Sequence, residues 1–271
     1  MKTPLLLDGP MGSLLTERGV FTSGAGWSAH AIGSAPAEVR SIHRSYVEAG
    51  AVLHRTNTFR TRLSDMGPTF ADLARRAVLL AREAVGAHHL LGVLGPIGDC
   101  YDPTLKVTEA EAQRQHRELA EVLVSSGVDE LLCETFPNPR EAELAVEASV
   151  GFGVPVSVSL TAGPSGELMT PRALAEAALR CARLGARVAS VNCVAIDRVL
   201  PYAHALSRTG VPFGVYGNVA SWNGPKADAS SYAEEARALL DLHPTWLGVC
   251  CGGGPLHVER LAALIASSSS P

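Results

Sequence analysis

Residues 130–141 read Glu130-Leu131-Leu132-Cys133-Glu134-Thr135-Phe136-Pro137-Asn138-Pro139-Arg140-Glu141, and the fold can be argued outward from them. Glu130–Phe136 is short with an apolar centre, Leu131-Leu132-Cys133, as expected of a parallel strand covered on both faces. Its end carries polar Glu134-Thr135. Asn138-Pro139 with Glu141 then forms a helix start: a capping residue, proline at the first helical position and an acid three residues on. Strand, polar end and capped helix make one β/α unit.

The same unit recurs on both sides. Apolar runs at 4–8, 51–59, 90–95, 155–160, 188–193, 212–218 and 246–251 bring the expected strands to eight. Thr108 with Glu111 is a capping-box pattern, Thr170-Pro171 opens the helix before the sixth strand, and Gly254-Pro255 opens the last. Val39, Ile42, Tyr46 and Ala49 lie on one helical stripe between the first two strands. Eight repeats predict an α/β fold, a single-domain (β/α)8 TIM barrel over residues 1–266 with a disordered low-complexity tail at 267–271. A doubly wound open sheet is the competing architecture. It lacks support, since no GxGxxG follows an early strand and no Walker-type loop occurs. A chain of 271 residues with 46% hydrophobic content suits one large barrel core.

A net charge of −4 gives no sign of a nucleic-acid or anionic-membrane surface, and no apolar run is long enough to span a bilayer. The apolar stretch after Pro4 ends at Asp8, too soon for a signal-peptide core. The expectation is a cytoplasmic protein whose partners are small molecules and whose six cysteines stay reduced. Each cysteine is therefore core filler, a metal ligand or a nucleophile.

In a barrel the chemistry gathers at the C-terminal ends of the strands. Those ends read Asp8, Thr56-Asn57-Thr58, Gly95-Pro96, Glu134-Thr135, Asn192-Cys193, Tyr216-Gly217-Asn218 and Cys250-Cys251. Cys193, Cys250 and Cys251 fall at the ends of the sixth and eighth strands, where three thiolates could share one Zn²⁺ and leave its fourth position open. Neighbours on a strand point to opposite faces, so Cys250 and Cys251 can converge only if the strand breaks there. Gly252-Gly253-Gly254 supplies that freedom. The competing reading is packed cysteines in a terminal strand. Cys133 and Cys181 read as core, and Cys100 as a loop residue that could border the site. Three thiolates would make zinc a weak Lewis acid, unsuited to hydrolysis, yet a substrate thiol bound there would still lose its proton. Asp8 and Glu134 could face the ammonium of an amino-acid thiol. They could equally be a turn residue and an ion-pair partner.

These residues resemble the homocysteine S-methyltransferases. The similarity runs through Asp8-Gly9-Pro10-Met11-Gly12-Ser13, Trp27-Ser28-Ala29, residues 43–50 leading to Thr56-Asn57-Thr58-Phe59, Gly95-Pro96, Glu134-Thr135, Val191-Asn192-Cys193, Tyr216-Gly217-Asn218 and Cys250-Cys251-Gly252. The resemblance implies zinc on catalytic Cys193, Cys250 and Cys251, Asp8 and Glu134 on the homocysteine amino group, and Trp27 on the methyl-donor side. Asn57, Arg60 and Asn218 are assigned to substrate binding with them. Four positions depart from the family pattern: Val249 replaces a glycine, Gly253-Gly254 replace threonines, and Arg60 follows Phe59 where a neutral residue is usual. Arg60 could clamp a substrate carboxylate or oppose a cationic donor.

The implied reaction moves a methyl group from a small sulfonium donor, S-methylmethionine or S-adenosylmethionine, to the thiolate of homocysteine or a related thiol. A single barrel leaves no room for a folate or cobalamin domain. The alternatives are a betaine-type donor, a non-catalytic zinc- or thiol-binding barrel, and a metal-dependent hydrolase. The last would want histidine ligands at strand ends, and His54, the nearest candidate, falls mid-strand.

Overall fold

The structure, a computed structural model, describes residues 3–221 and 224–268. Eight parallel strands, β1 (Leu5–Leu6), β2 (Leu53–Arg55), β3 (His89–Leu94), β4 (Glu130–Phe136), β5 (Val156–Leu160), β6 (Ala186–Ala195), β7 (Phe213–Asn218) and β8 (Trp246–Val249), form one sheet in which β1 pairs with β8. The remaining seam closes through a parallel bridge between Leu7 and Leu53, with Asp8 N donating to Leu53 O at 2.9 Å. The architecture is the expected (β/α)8 barrel. Helices α1 (Met11–Glu17), α2 (His30–Ser34), α3 (Pro36–Glu48), α4 (Leu63–Met66), α5 (Phe70–Val85), α6 (Glu109–Ser125), α7 (Pro139–Ser149), α8 (Pro171–Arg183), α9 (Leu200–Ser207), α10 (Ala229–Leu240) and α11 (Pro255–Ser268) surround it. Among the described residues no helix is long and apolar enough to cross a membrane.

The helix starts follow their sequence signals, with one change of role. Thr108 accepts from Glu111 N and Thr170 from Ala173 N, while Asn138 accepts from both Arg140 N and Glu141 N. The acids expected to reach back to the caps do other things. Glu111 binds Arg114 and Gln115, and Glu141 turns inward to accept from Ile97 N at 2.5 Å and to meet His116 at 3.3 Å. Glu141 thereby anchors the long loop after β3. The expected tail begins inside a helix, since α11 includes Ser267 and Ser268; residues 269–271 lie outside the described residues.

Two apolar layers hold the barrel. Val39, Ile42 and Tyr46 of α3 are buried between helix and sheet, as their stripe predicts, and Cys133 and Cys181 belong to the same layer. Inside the barrel, Leu7, Leu53, Leu91, Val93, Leu132 and Trp246 form a separate plug, capped by Cys193, Cys250 and Tyr216. The plug fills the barrel interior beneath the sulfurs, and the C-terminal rim lies above it.

Candidate active site and metal centre

Three strand ends depart from regular geometry, and each departure turns a side chain toward the rim. β8 stops at Val249, before the two cysteines. Cys250 N still donates to Gly217 O at 2.8 Å, but Gly252 adopts φ 81° and the chain leaves the sheet. That break brings Cys250 and Cys251 to one side. On β6, Cys193 takes φ 55° where the pairing with β7 shifts register between Asn192 and Ala195. On β4, Thr135 takes φ 62° where the pairing with β5 shifts between Cys133 and Phe136. Left-handed backbone is rare for side-chain-bearing residues and concentrates at functional sites. Both are bulge-like positions that re-aim a strand end.

The three sulfurs of Cys193, Cys250 and Cys251 converge to within 4.8 Å of one another. Cys193 Sγ lies 2.9 Å from Cys250 Sγ. Thiol donors from Cys193 and then Cys251 draw the Cys250 pKa well below the ordinary thiol range against the opposing effect of burial, and the Arg55 guanidinium assists. The Cys193 thiol, donor in that arrangement, is pushed up. Asn192, fully buried, donates from Nδ2 to Thr135 Oγ1 at 2.7 Å and to Cys193 Sγ at 3.3 Å. Three reduced, convergent thiols with an amide donor behind them are a donor set suited to one soft-to-borderline cation.

These sulfurs line a cavity of about 820 Å³, a size typical of small-ligand sites. Trp27, Phe59 and Tyr101 give it aromatic walls. Trp27 and Phe59 meet edge to face at 6.3 Å between ring centroids. Trp27 fits because residue 12 is glycine: a Cβ there would stand 2.2 Å from Trp27 Cζ2. Asn57 lines the cavity, but its amide is committed to Ser28, accepting from the hydroxyl at 2.8 Å and donating to the carbonyl at 2.9 Å. It fixes the turn that carries Trp27.

Asp8 and Glu134 also line the cavity, and both are joined to a residue that the sequence reading did not single out. Arg55, at the end of β2, donates from Nε to Asp8 Oδ1 at 2.7 Å and from Nη1 to Glu134 Oε1 at 2.9 Å. Its backbone N–H takes Asp8 Oδ2 at 2.9 Å, and Nη2 donates to the carbonyls of Asp8 and Val249 at 3.0 and 3.3 Å. The guanidinium lies 4.9 Å over the Tyr216 ring. Burial alone would lower its pKa, but Asp8 and Glu134 more than reverse that, so it stays charged. Burial raises the pKa of Glu134, and Arg55 only partly offsets it. The signal for Arg55 was present: a polar pair, His54-Arg55, sits inside an apolar run. Reading that strand through residue 59 hid it, because β2 ends at Arg55 itself.

The other expected contacts divide. Arg60 lines the cavity yet is tethered, bonding Gly98 O, lying 3.8 Å from Asp65 and packing over the Phe59 ring at 5.4 Å. Arg62 donates to the same carbonyl at 3.0 Å, so the two arginines pin the loop that presents Cys100 and Tyr101. Cys100 does border the cavity, its thiol pushed up to about 11 by burial. Asn218 does not line it, contrary to expectation. Its amide donates to Cys193 O at 3.1 Å and accepts from Cys251 N at 3.0 Å, so both of its ends are spent locking β6 to β8.

A model of the homocysteine S-methyltransferase family matches residues 5–265, and the chain belongs to that family of methyltransferases. Among individual relatives it is 27% identical to betaine–homocysteine S-methyltransferase 1 of Bos taurus, over 96% of this chain and 71% of that one. It is 28% identical to S-methylmethionine–homocysteine S-methyltransferase of Mus musculus, over 95% and 78%. Its fold superposes with TM-score 0.82 on the metallated form of the homocysteine methyltransferase MmuM from Escherichia coli, at 23% identity over 97% of this chain and 96% of that one.

Proposed function

We propose that the protein is a zinc-dependent S-methyltransferase that moves a methyl group from a small sulfonium, S-methylmethionine or S-adenosylmethionine, to the thiolate of homocysteine or a related thiol. The convergence of Cys193, Cys250 and Cys251 within 4.8 Å, in a cavity with an aromatic wall, carries this reading. Zinc, when bound by the three cysteines, would supply the Lewis acidity that keeps an acceptor thiol deprotonated near neutral pH. The acceptor sulfur then attacks the methyl carbon. A new S–CH₃ bond forms as the donor's C–S bond breaks, and that bonding pair leaves with the donor sulfur as a neutral thioether. No proton moves in this step, and no histidine is among the described residues that line the cavity.

The residues of the chain divide the remaining work. Asn192 orients the Cys193 sulfur, and Asn218 holds the two cysteine-bearing strand ends together. Trp27 offers a π face to the donor cation, and Asp8, Glu134 and Arg55 form the polar wall against the acceptor. We assign the reaction to the cytoplasm, where the thiols stay reduced.

The test incubates zinc-loaded protein with a panel of thiols and S-methylmethionine, S-adenosylmethionine, betaine or methyltetrahydrofolate, and follows thioether formation by mass spectrometry. Turnover with a sulfonium and none with methyltetrahydrofolate is expected. A zinc-loaded protein that methylates no thiol from any sulfonium would refute the reading.

A further inference from the structure

Behind the cysteines runs a series of hydrogen bonds that begins on β5, a strand with no residue among those described as lining the cavity. Ser159 of that strand donates its hydroxyl to Asn192 Oδ1 at 2.8 Å. Asn192 Nδ2 donates to Thr135 Oγ1 at 2.7 Å and to Cys193 Sγ at 3.3 Å, and reaches Cys250 Sγ at 3.9 Å. Thr135, having accepted from the amide, keeps its own hydroxyl proton for Cys193 Sγ at 4.0 Å. Every donor therefore points the same way, from β5 through β6 and β4 onto the sulfurs. Ser159 and Asn192 are both fully buried, and neither is among the described residues that line the cavity. They are out of reach of a substrate there, so their influence on the chemistry passes through sulfur.

The direction of the series is held at both ends. An amide turned over would set its oxygen against the sulfurs, which as thiolates have no proton to offer it. At the other end the Ser159 hydroxyl keeps that oxygen turned away. Burial alone does not bring a serine into such an arrangement. Ser190, paired in register with Ser159 on β6 and equally buried, has no partner for its Oγ among the described residues. Thr135 and Cys193, on which the bonds converge, are also the two strand-end residues with left-handed backbone. Hydrogen bonds in series polarise one another, and each one ending on a thiolate draws charge off the sulfur.

We propose that Ser159 is a positioning residue of the metal centre: through Asn192 it keeps the amide and the Thr135 hydroxyl aimed at the cysteine sulfurs, and so limits the charge these thiolates pass to a bound zinc. This rests on the zinc-dependent reading above and adds to it a control on how strongly the ion polarises an acceptor thiol. Sulfurs that give up less charge leave the ion the stronger Lewis acid.

Cobalt(II) loaded in place of zinc tests this, because its thiolate-to-metal charge-transfer band rises in energy when the sulfurs accept hydrogen bonds. In Ser159→Ala the band should lie at longer wavelength than in the parent, and the zinc Kd from chelator competition should rise about 10- to 100-fold. Ser190→Ala, the same deletion on the neighbouring strand, should match the parent in both. Asn192→Ala should move the band in the same direction as Ser159→Ala, and combining the two should move it no further than Asn192→Ala alone. The two serine variants decide the matter even if the Asn192 variant does not fold. A Ser159→Ala protein with the parent's band and Kd would overturn the proposal, as would an equal shift in Ser190→Ala or a further shift in the double variant. A parent that binds neither cobalt nor zinc would remove the zinc reading and this proposal together, whereas a loaded parent indifferent to Ser159 removes this proposal alone.

Discussion

Glu130 and Glu134 stand at opposite ends of one strand, β4, and meet opposite fates. At the barrel floor Glu130 is saturated: it accepts from Ser157, contacts His89 at 3.1 Å and pairs with Arg187 at 2.5 Å. Burial works to raise its pKa, but those donors outweigh it and hold the carboxyl below the usual range. At the rim Glu134 has one partner, Arg55, and burial wins, so its pKa rises. The same side chain on the same strand is a structural ion at one end and an under-satisfied group facing a cavity at the other. That contrast is the division of labour of the fold: satisfied charges at the N-terminal face, and charges kept available at the C-terminal face.

The strongest way to break this contrast is at the sulfurs. Cys250→Ser and Cys193→Ser should each reduce bound zinc from about one per chain to a small fraction and abolish turnover, since metal binding by a three-thiolate site depends on every ligand. Cys181→Ser, in the outer core, should keep its zinc. Elemental analysis showing full zinc in either rim variant would remove the metal assignment.

Acid should sharpen it next, because the two ends respond in different pH windows. His43, buried beneath Asp8 and Arg55, has its pKa lowered from 6.5 to about 4, chiefly by burial. Between those values the unfolded chain binds a proton that the folded chain refuses. Stability is therefore intact above about pH 6.5, falls as pH drops toward 4, and levels off below, by about 3 kcal/mol at most. Glu130 behaves as a depressed carboxylate: its contribution is present above about 4.5 and lost as pH falls further. Urea midpoints measured from pH 8 to 3 should show both steps, and His43→Leu should flatten only the upper one. An unchanged upper limb in that variant would show that another group titrates there.

Glu130→Gln tests the floor alone. It should cost about 1–3 kcal/mol, because the Ser157 hydroxyl, the His89 ring and the Arg187 cation lose a charged acceptor, with solvent screening the exposed Arg187. Zinc content and turnover per folded molecule should be unchanged. A loss of zinc would mean that the two ends of β4 are coupled.

The smallest expected effect lies at the donor wall. Trp27→Ala should weaken sulfonium use by about 2- to 30-fold, the factor that corresponds to a cation–π contact of about 0.5–2 kcal/mol, with little change in thiol binding. Equal loss in both KM values would make Trp27 a packing residue of the rim.

The floor and the frame were legible in the sequence because they follow periodicity. Apolar runs located every strand, and the caps at Thr108, Asn138 and Thr170 located their helices. The cysteine cluster was legible too, since adjacent cysteines at a strand end can converge only where the backbone breaks, and three glycines follow them. What stayed hidden depends on backbone that breaks the period. Nothing in Glu134-Thr135 or Asn192-Cys193 announces a left-handed residue, and those two positions decide which side chains reach the cavity. Arg55 was concealed by a strand boundary four residues too long. The internal hydrogen bonds of Asn57 and Asn218 were hidden for the same reason: an amide at a strand end shows its partners only once the strand ends are placed beside one another.

The tight meeting of Gly12 and Trp27 also ties two positions together in evolution. A methyl group at residue 12 would overlap the indole, so no larger side chain can be accepted there while the tryptophan remains. A lineage that enlarges residue 12 must also move or shrink the indole of residue 27, and the aromatic wall of the cavity changes with it. Drift at an inconspicuous glycine on the first helix is thus held in check by the aromatic residue opposite.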